Sequence, residues 1–419
     1  MSSLHDVSDA DPGPRDGSWA EGAPRPSLLI ICFSTIAGDP RVIRQVRAFA
    51  PMYDVTTVGY GPAPDGVNGH VEVPREFDPL RPSFRHLMAL LVLRRYRRAY
   101  FGSRRIAFVR QAVPRGSMDM ILANDADAAP VALELAPRLG VHSDLHEYAT
   151  RQRENEQWWR RVVSPFVRWM ITRHVSRAAS VTTVSPGLAA EYRREFGIEA
   201  GVVPNVPEGR ADLTPSVTPT EAPIRIVHAG AGTRSRKIEV MIDAVRRANE
   251  QRPGAFLLDL YLKAGDEAYI RELDEQARGI HDGSVRVLDP VPFSELLDTL
   301  ARYDVGLYAC PPENFNQKHA LPNKLFEFIQ ARLALVIGPS PDMAQYVRRY
   351  GVGVISEDFS AASVAEALES LTPAAVDEMK QHSHAAAAEL TSDRQSQGWL
   401  DALAAIAESA PPGPRGSRR

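Results

Sequence analysis

Short apolar runs alternate with segments of helical spacing along almost the whole chain, and the alternation is interrupted once and then begins again. Ser27–Phe33 (SLLIICF) is an apolar strand, and Val42, Val46 and Phe49 follow at helical spacing. Strands at 53–58, 120–123, 141–144, 180–184 and 201–203 come next, separated by helical stretches. Residues 207–223 (PEGRADLTPSVTPTEAP) lack apolar periodicity and read as a linker. Alternation resumes with strands at 224–228, 257–262, 285–288, 305–308, 334–337 and 352–355, and helices at 238–248 and 267–277. Two further helical segments are expected near 363–371 and 393–407. Strands alternating with helices specify parallel, doubly wound sheets, so the chain is expected to be α/β with two Rossmann-like domains facing a cleft.

The expected domains are 27–206 and 224–389, with a C-terminal helix at 390–408 and loose tails at 1–26 and 409–419. A length of 419 residues, 44% hydrophobic, supports two real cores. Only Cys32 and Cys310 occur, each in or beside an apolar run, which fits buried thiols and no disulfide framework. The net charge of −3 points to no nucleic-acid partner. The longest apolar run, Leu87 to Leu93, is too short to cross a bilayer, and the polar start carries no targeting pattern. The expected location is cytoplasmic. Neither domain begins with GxGxxG and a following acidic residue at the usual distance, which disfavours a dinucleotide dehydrogenase.

The most chemical stretch is Pro311–Gly338, PPENFNQKHALPNKLFEFIQARLALVIG. Pro322 stands where a helix takes its first residue, and Leu325, Phe328 and Ile329 mark its buried face. A helix start offers free N–H groups and the positive end of a dipole, both suited to a diphosphate. Lys324 in the first turn is locally unfavourable unless an anion sits there. Glu327, one turn on, can accept from two neighbouring sugar hydroxyls. The plainer reading is an i, i+3 surface pair of Lys324 with Glu327.

These features together resemble a bacterial GT-B glycosyltransferase of the retaining family 4. The likeness runs from Ser27 to about Ala407, through STIAGDPRV, the AND at 123–125, the DLHE at 144–147, VTTVSPGL, VVPNV, VHAGAGTRSRKIEVMIDA, YDVGLY and PNKLFEFIQARLALVIG. The resemblance implies transfer of a sugar from a nucleotide-sugar donor to a glycan, lipid-linked or small-molecule acceptor, with retention. It implies no metal and no resident cofactor, since cations of the protein replace a metal ion. Glu327 would hold the ribose, and Asn323 and Lys324 would face the diphosphate. Arg236 falls in the family's lysine slot. Arg234 is the expected second cation and Lys237 its fallback, with Gly230 and Gly232 shaping the same loop. His146 would touch the transferred sugar. Gly38, Asp39, Arg41, Asn124, Asp125 and Glu147 would line the acceptor side, although Asp39 serves equally well as a helix cap and Asn124 and Asp125 as turn residues. The commoner family motif carries an earlier glutamate at the position of His319; the PxK variant, here Pro322-Asn323-Lys324, lacks it. A nucleotide-sugar 2-epimerase and a non-catalytic GT-B subunit that binds a sugar nucleotide are the competing readings.

Between Phe84 and Met118 there are nine arginines and no acidic residue, with leucines and aromatics interleaved. A second basic stretch, 151–177, contains Trp158, Trp159 and Trp169. Arginine with interfacial aromatics reads as an element for an anionic membrane surface, which would place the protein at the inner face of the membrane. The plainer reading is a solvated helix packed on the domain.

Overall fold

The structure, a computed structural model, describes residues 25–78 and 84–409. The expected tails at 1–26 and 409–419 fall almost wholly outside them. The first sheet contains β1 (Ser27–Thr35), β2 (Asp54–Tyr60), β3 (Gly69–Glu72), β4 (Met120–Asn124), β5 (Gly140–Leu145), β6 (Ser180–Thr183) and β7 (Ala200–Val202). Their order is β3-β2-β1-β4-β5-β6-β7, and every pairing is parallel. The second sheet contains β8 (Ile224–Ala231), β9 (Phe256–Lys263), β10 (Val285–Leu288), β11 (Val305–Tyr308), β12 (Ala334–Ile337) and β13 (Gly353–Ile355), ordered β10-β9-β8-β11-β12-β13. Both are Rossmann sheets. In each the winding direction reverses at the first strand, between β1 and β4 and between β8 and β11, where the carboxyl ends open a crevice.

The apolar runs become central strands because helices cover both of their faces. Leu28, Leu29, Ile30 and Ile31 of β1 are fully buried, odd and even positions alike. The helix Pro40–Phe49 buries Val42, Val46 and Phe49 against this sheet, and Asp39 caps it by accepting from the Arg41 and Val42 N–H groups. The last helix, Ser392–Ser409, leaves the second domain and packs on the first. Its Trp399, Leu403 and Ile406 share one core cluster with Leu28, Ile30 and Phe49.

Residues 207–223 are laid down on the second domain. Thr218 is buried, and its N–H donates to Asp377 Oδ1 at 2.9 Å. The buried Lys380 ammonium bonds Ser216 Oγ at 2.8 Å and Asp304 Oδ1 at 3.1 Å, and Asp304 also takes a two-toothed contact from Arg225 at 3.0 Å. The helix Pro373–Glu389, which carries Lys380, is not anticipated by apolar spacing. Its buried face consists of Val376, Lys380, Ser383, Ala386 and Ala387, too polar and too small to register as a stripe.

The two domains clasp each other beside the crevice. The loop after β11 reaches the segment after β5: Tyr148 N–H donates to Asn316 Oδ1 at 2.6 Å, and Asn316 Nδ2 donates back to Tyr148 O at 3.2 Å. Phe315 lies edge-on to the Tyr148 ring at 5.3 Å. The carboxyl ends of β5 and β11 therefore oppose one another. Among the described residues no helix is long and apolar enough to cross a membrane.

Candidate active site

In the second domain the candidate site is built on the helix Asn323–Gln330. Pro322 is not its first residue, as expected from sequence, but the extended residue before it (φ −68°, ψ 148°), so the free N–H groups begin at Asn323. The helix seats against β11 because Gly306 has no side chain: a Cβ there would come within 2.4 Å of the Phe328 ring. That contact fixes the roll of the helix and turns Glu327 inward, with only 5% of its side chain exposed. Lys324 Nζ donates to Glu327 Oε2 at 2.5 Å. The i, i+3 pair foreseen as the plainer reading does form, but it is largely withdrawn from solvent.

Beside this pair, Arg236 Nη1 donates to Tyr308 Oη at 2.9 Å, and the Tyr308 ring lies 6.0 Å from His228. His228 Nδ1 donates to Leu307 O at 2.9 Å. Its pKa is lowered to about 4, first by burial and then by the charges of Lys324 and Arg236, so both cations lie near His228. Burial pushes the Cys310 thiol up to about 12, against the opposing pull of Arg236. Gly230 borders this cluster, since a Cβ there would meet His228 Nε2 at 3.2 Å. Gly232 is required instead by packing, as its Cβ would strike Ile270 at 2.5 Å.

Arg234 does not join the cluster. Its guanidinium makes two hydrogen bonds to Glu272, at 2.8 and 2.6 Å, and approaches Asp266 at 3.3 Å, so its charge is already neutralised on the outer side of the loop. Lys237 is exposed in a left-handed conformation (φ 47°) that ends the same short turn.

The first domain contributes the ends of β4 and β5. His146 Nε2 lies 3.0 Å from Asn124 Oδ1 and 3.5 Å from Asp144 Oδ2, while Nδ1 lies 3.4 Å from Asp125 Oδ2. Burial pulls the His146 pKa down, but the carboxylates of Asp125 and Asp144 outweigh it and the net shift is upward, favouring the imidazolium. Asp125 holds a left-handed backbone (φ 65°), and its Oδ1 accepts from the His146 N–H at 3.1 Å. Asn124 is fully buried and exchanges two hydrogen bonds of 2.9 Å with Gln45; it orients His146 and does not line the acceptor side. Glu147 is exposed at the crevice mouth.

Arg41 also falls outside the expected role. It is buried, and every guanidinium nitrogen is engaged. Nε and Nη2 each donate to Asp144 at 2.7 Å, and Nη1 donates to Val203 O and Asn205 Oδ1 at 2.9 Å. Buried at 3% exposure with four of its five N–H donors engaged, Arg41 holds Asp144 under His146. Gly38 sits in a single 3-10 turn, and a Cβ there would meet nothing within 4 Å. No close contact inside the protein demands a glycine at this position. His319 turns away from the helix start, 2.7 Å from Asp342 Oδ2, and Asp342 Oδ1 accepts from the Gly187 N–H at 2.6 Å. It is part of the clasp between domains.

Sequence reasoning missed Tyr308 and His228. The signal was present: Tyr308 ends an apolar run and His228 sits near the end of another, where strand termini meet the crevice.

No protein-family model and no curated protein matches the chain. Solved structures do. A crystal structure of Anabaena HepE in complex with UDP superposes with a TM-score of 0.65 at 13% identity, over 90% of this chain and 100% of that one. An α,α-trehalose 6-phosphate synthase from Burkholderia multivorans gives 0.64 at 12% identity, over 93% and 100%. A sucrose-phosphate synthase from Thermosynechococcus elongatus gives 0.61 at 15%, over 91% and 100%. With its two parallel Rossmann sheets, the chain has the GT-B fold. HepE has also been crystallised with UDP-glucose.

Proposed function

We propose that this protein is a glycosyltransferase that takes a nucleotide-sugar donor in the second domain and passes the sugar to an acceptor held against the first. The observation that carries the reading is the placement of Arg236 and Lys324 near His228, with a helix start beside buried Glu327 on one domain and His146 at the strand ends of the other. A departing nucleoside diphosphate develops negative charge on its phosphate oxygens. Arg236, Lys324 and the free N–H groups at Asn323 would stabilise it. Lys324 occupies one oxygen of Glu327 and leaves the other for a ribose hydroxyl. His146, whose pKa Asp125 and Asp144 raise, would donate to a hydroxyl of the transferred sugar. Arg234 has no part in this scheme, because Glu272 and Asp266 hold it. Retention, a metal-independent reaction and a hexosyl donor belong to the proposal on the strength of the family resemblance, as does a glycan or lipid-linked acceptor.

The test is release of nucleoside diphosphate from a panel of nucleotide sugars, with UDP-glucose first because a GT-B neighbour is known with it. Release should accelerate when acceptor sugars are added. Glu327→Ala should raise the donor KM, and Arg236→Ala should lower kcat by about 100-fold, the scale for losing one preorganised charge-stabilising donor. Unchanged kinetics in both variants overturn the assignment. Interconversion of donors without acceptor would identify an epimerase, and a thermal shift without turnover a silent binding subunit.

A further inference from the structure

The arginine-rich segment has no part in the crevice chemistry, and its structure gives it a distinct purpose. The helix Phe84–Val92 ends in Val92 and Leu93, which are 65% and 68% exposed, and Arg94 then reverses the chain with a left-handed backbone (φ 53°). Two adjacent aliphatic side chains therefore stand exposed where the chain turns. Around them Arg85, Arg94, Arg95, Arg97 and Arg98 are exposed, and none has an acidic partner among the described residues. What sets them apart is their grouping. Some exposed arginines elsewhere are mated, as in Arg138 with Asp119, Arg168 with Glu195, Arg193 with Glu199 and Arg278 with Asp274, and others, such as Arg302, Arg348 and Arg394, are scattered without an ion pair among the described residues. The unpaired charge stands out further because the whole chain carries a net −3.

An aromatic layer underlies this face. Tyr96 meets Phe166 at 5.7 Å and Trp169 at 6.3 Å, and Phe166 stacks on Trp169 at 5.9 Å. The helix Phe84–Val92 packs on the turn Trp159–Val163, beside which Trp158 is 43% exposed and Arg160 and Arg161 point outward. The His174 pKa, beside Trp169, is lowered to about 4, chiefly by burial and then by Arg177 and Arg173.

We propose that the first domain docks on an anionic lipid bilayer through this face, with Val92 and Leu93 entering the acyl boundary and the surrounding arginines lying at the headgroup phosphates. Charge complementarity selects the occupant. Unpaired arginines want phosphate, exposed tryptophan suits the interface, and an exposed aliphatic pair finds its partner in hydrocarbon. A nucleic acid would match the arginines but leave the Val92–Leu93 pair in water.

The test uses the full chain in flotation with vesicles of phosphatidylcholine alone or mixed with phosphatidylglycerol. Binding should appear only with the anionic lipid and should weaken as salt rises. Because a cation near such a surface contributes about 1 kcal/mol, each of Arg94→Ala, Arg95→Ala, Arg97→Ala and Arg98→Ala should lower partitioning about fivefold. Val92→Ser with Leu93→Ser should lower it about tenfold while leaving the melting temperature unchanged, since both side chains are exposed. Arg278→Ala, on the other domain, should have no effect. In the unsubstituted protein Trp158 fluorescence should shift to the blue on vesicle addition, and Trp158→Phe should remove that change. No binding to anionic vesicles at low salt overturns the proposal. So does binding indifferent to both the arginine and the Val92/Leu93 substitutions, and so does capture of duplex DNA or RNA without vesicle binding.

Discussion

Two arginines that look alike in sequence have opposite fates. Arg41 follows a turn after the first strand of its domain and Arg236 follows a turn after the first strand of the other. Arg236 makes one hydrogen bond among the described residues, of 2.9 Å to a tyrosine hydroxyl, whereas Arg41 commits four of its donors to Asp144, Val203 and Asn205. Removing one member of a buried ion pair strands the other. Arg41→Ala should therefore destabilise the protein by about 3–5 kcal/mol, measured by urea denaturation. The same variant should raise the Asp144 pKa, since after burial the Arg41 charge is the main influence on that carboxyl. A loss below about 1 kcal/mol would mean that Asp144 finds another partner. What separates the two residues is burial, and burial of a polar side chain depends on which remote segments arrive around it; here these are β5, the stretch after β7 and Trp399.

Among elements, the helix Ser392–Ser409 completes the core of a domain it does not belong to in sequence. It buries Trp399 at 1% exposure in the core of the first domain, with Arg41 over its ring at 4.7 Å. Trp399→Ala should cost about 3–5 kcal/mol and should loosen the sheet β1–β7 before the sheet β8–β13, read by hydrogen exchange along both. Equal loosening of the two sheets would contradict the packing. The elements themselves were largely legible from sequence, because fully apolar strands such as SLLIICF and the spaced Leu325, Phe328 and Ile329 state their own burial. β3 was not, since none of its residues is fully buried. Nor was the helix Pro373–Glu389, whose inward face includes a lysine and a serine. Within the site, Glu327 and Arg236 were visible through spacing and resemblance. Tyr308 and Arg41 needed the partners that only folding supplies.

For the whole molecule, acidity should act on both domains together. His142 on β5 and His228 on β8 are fully buried, and each has its pKa lowered to about 4, in both cases mainly by burial. The unfolded chain takes up these protons near the ordinary histidine value, while the folded chain refuses them until about pH 4, so stability falls as pH drops through that window. Between about pH 7 and pH 5 each histidine should remove about 2 kcal/mol, seen as a falling melting temperature, and His142→Gln should reduce the slope. A flat profile would show that these rings are protonated in the folded state. The return of the helix Ser392–Ser409 to the first domain has one more consequence. Translation delivers residues 27–206 before the second domain, yet the tryptophan that closes their core is made only after it. The first domain of this protein must wait, incomplete, until the ribosome has passed through the whole of the second.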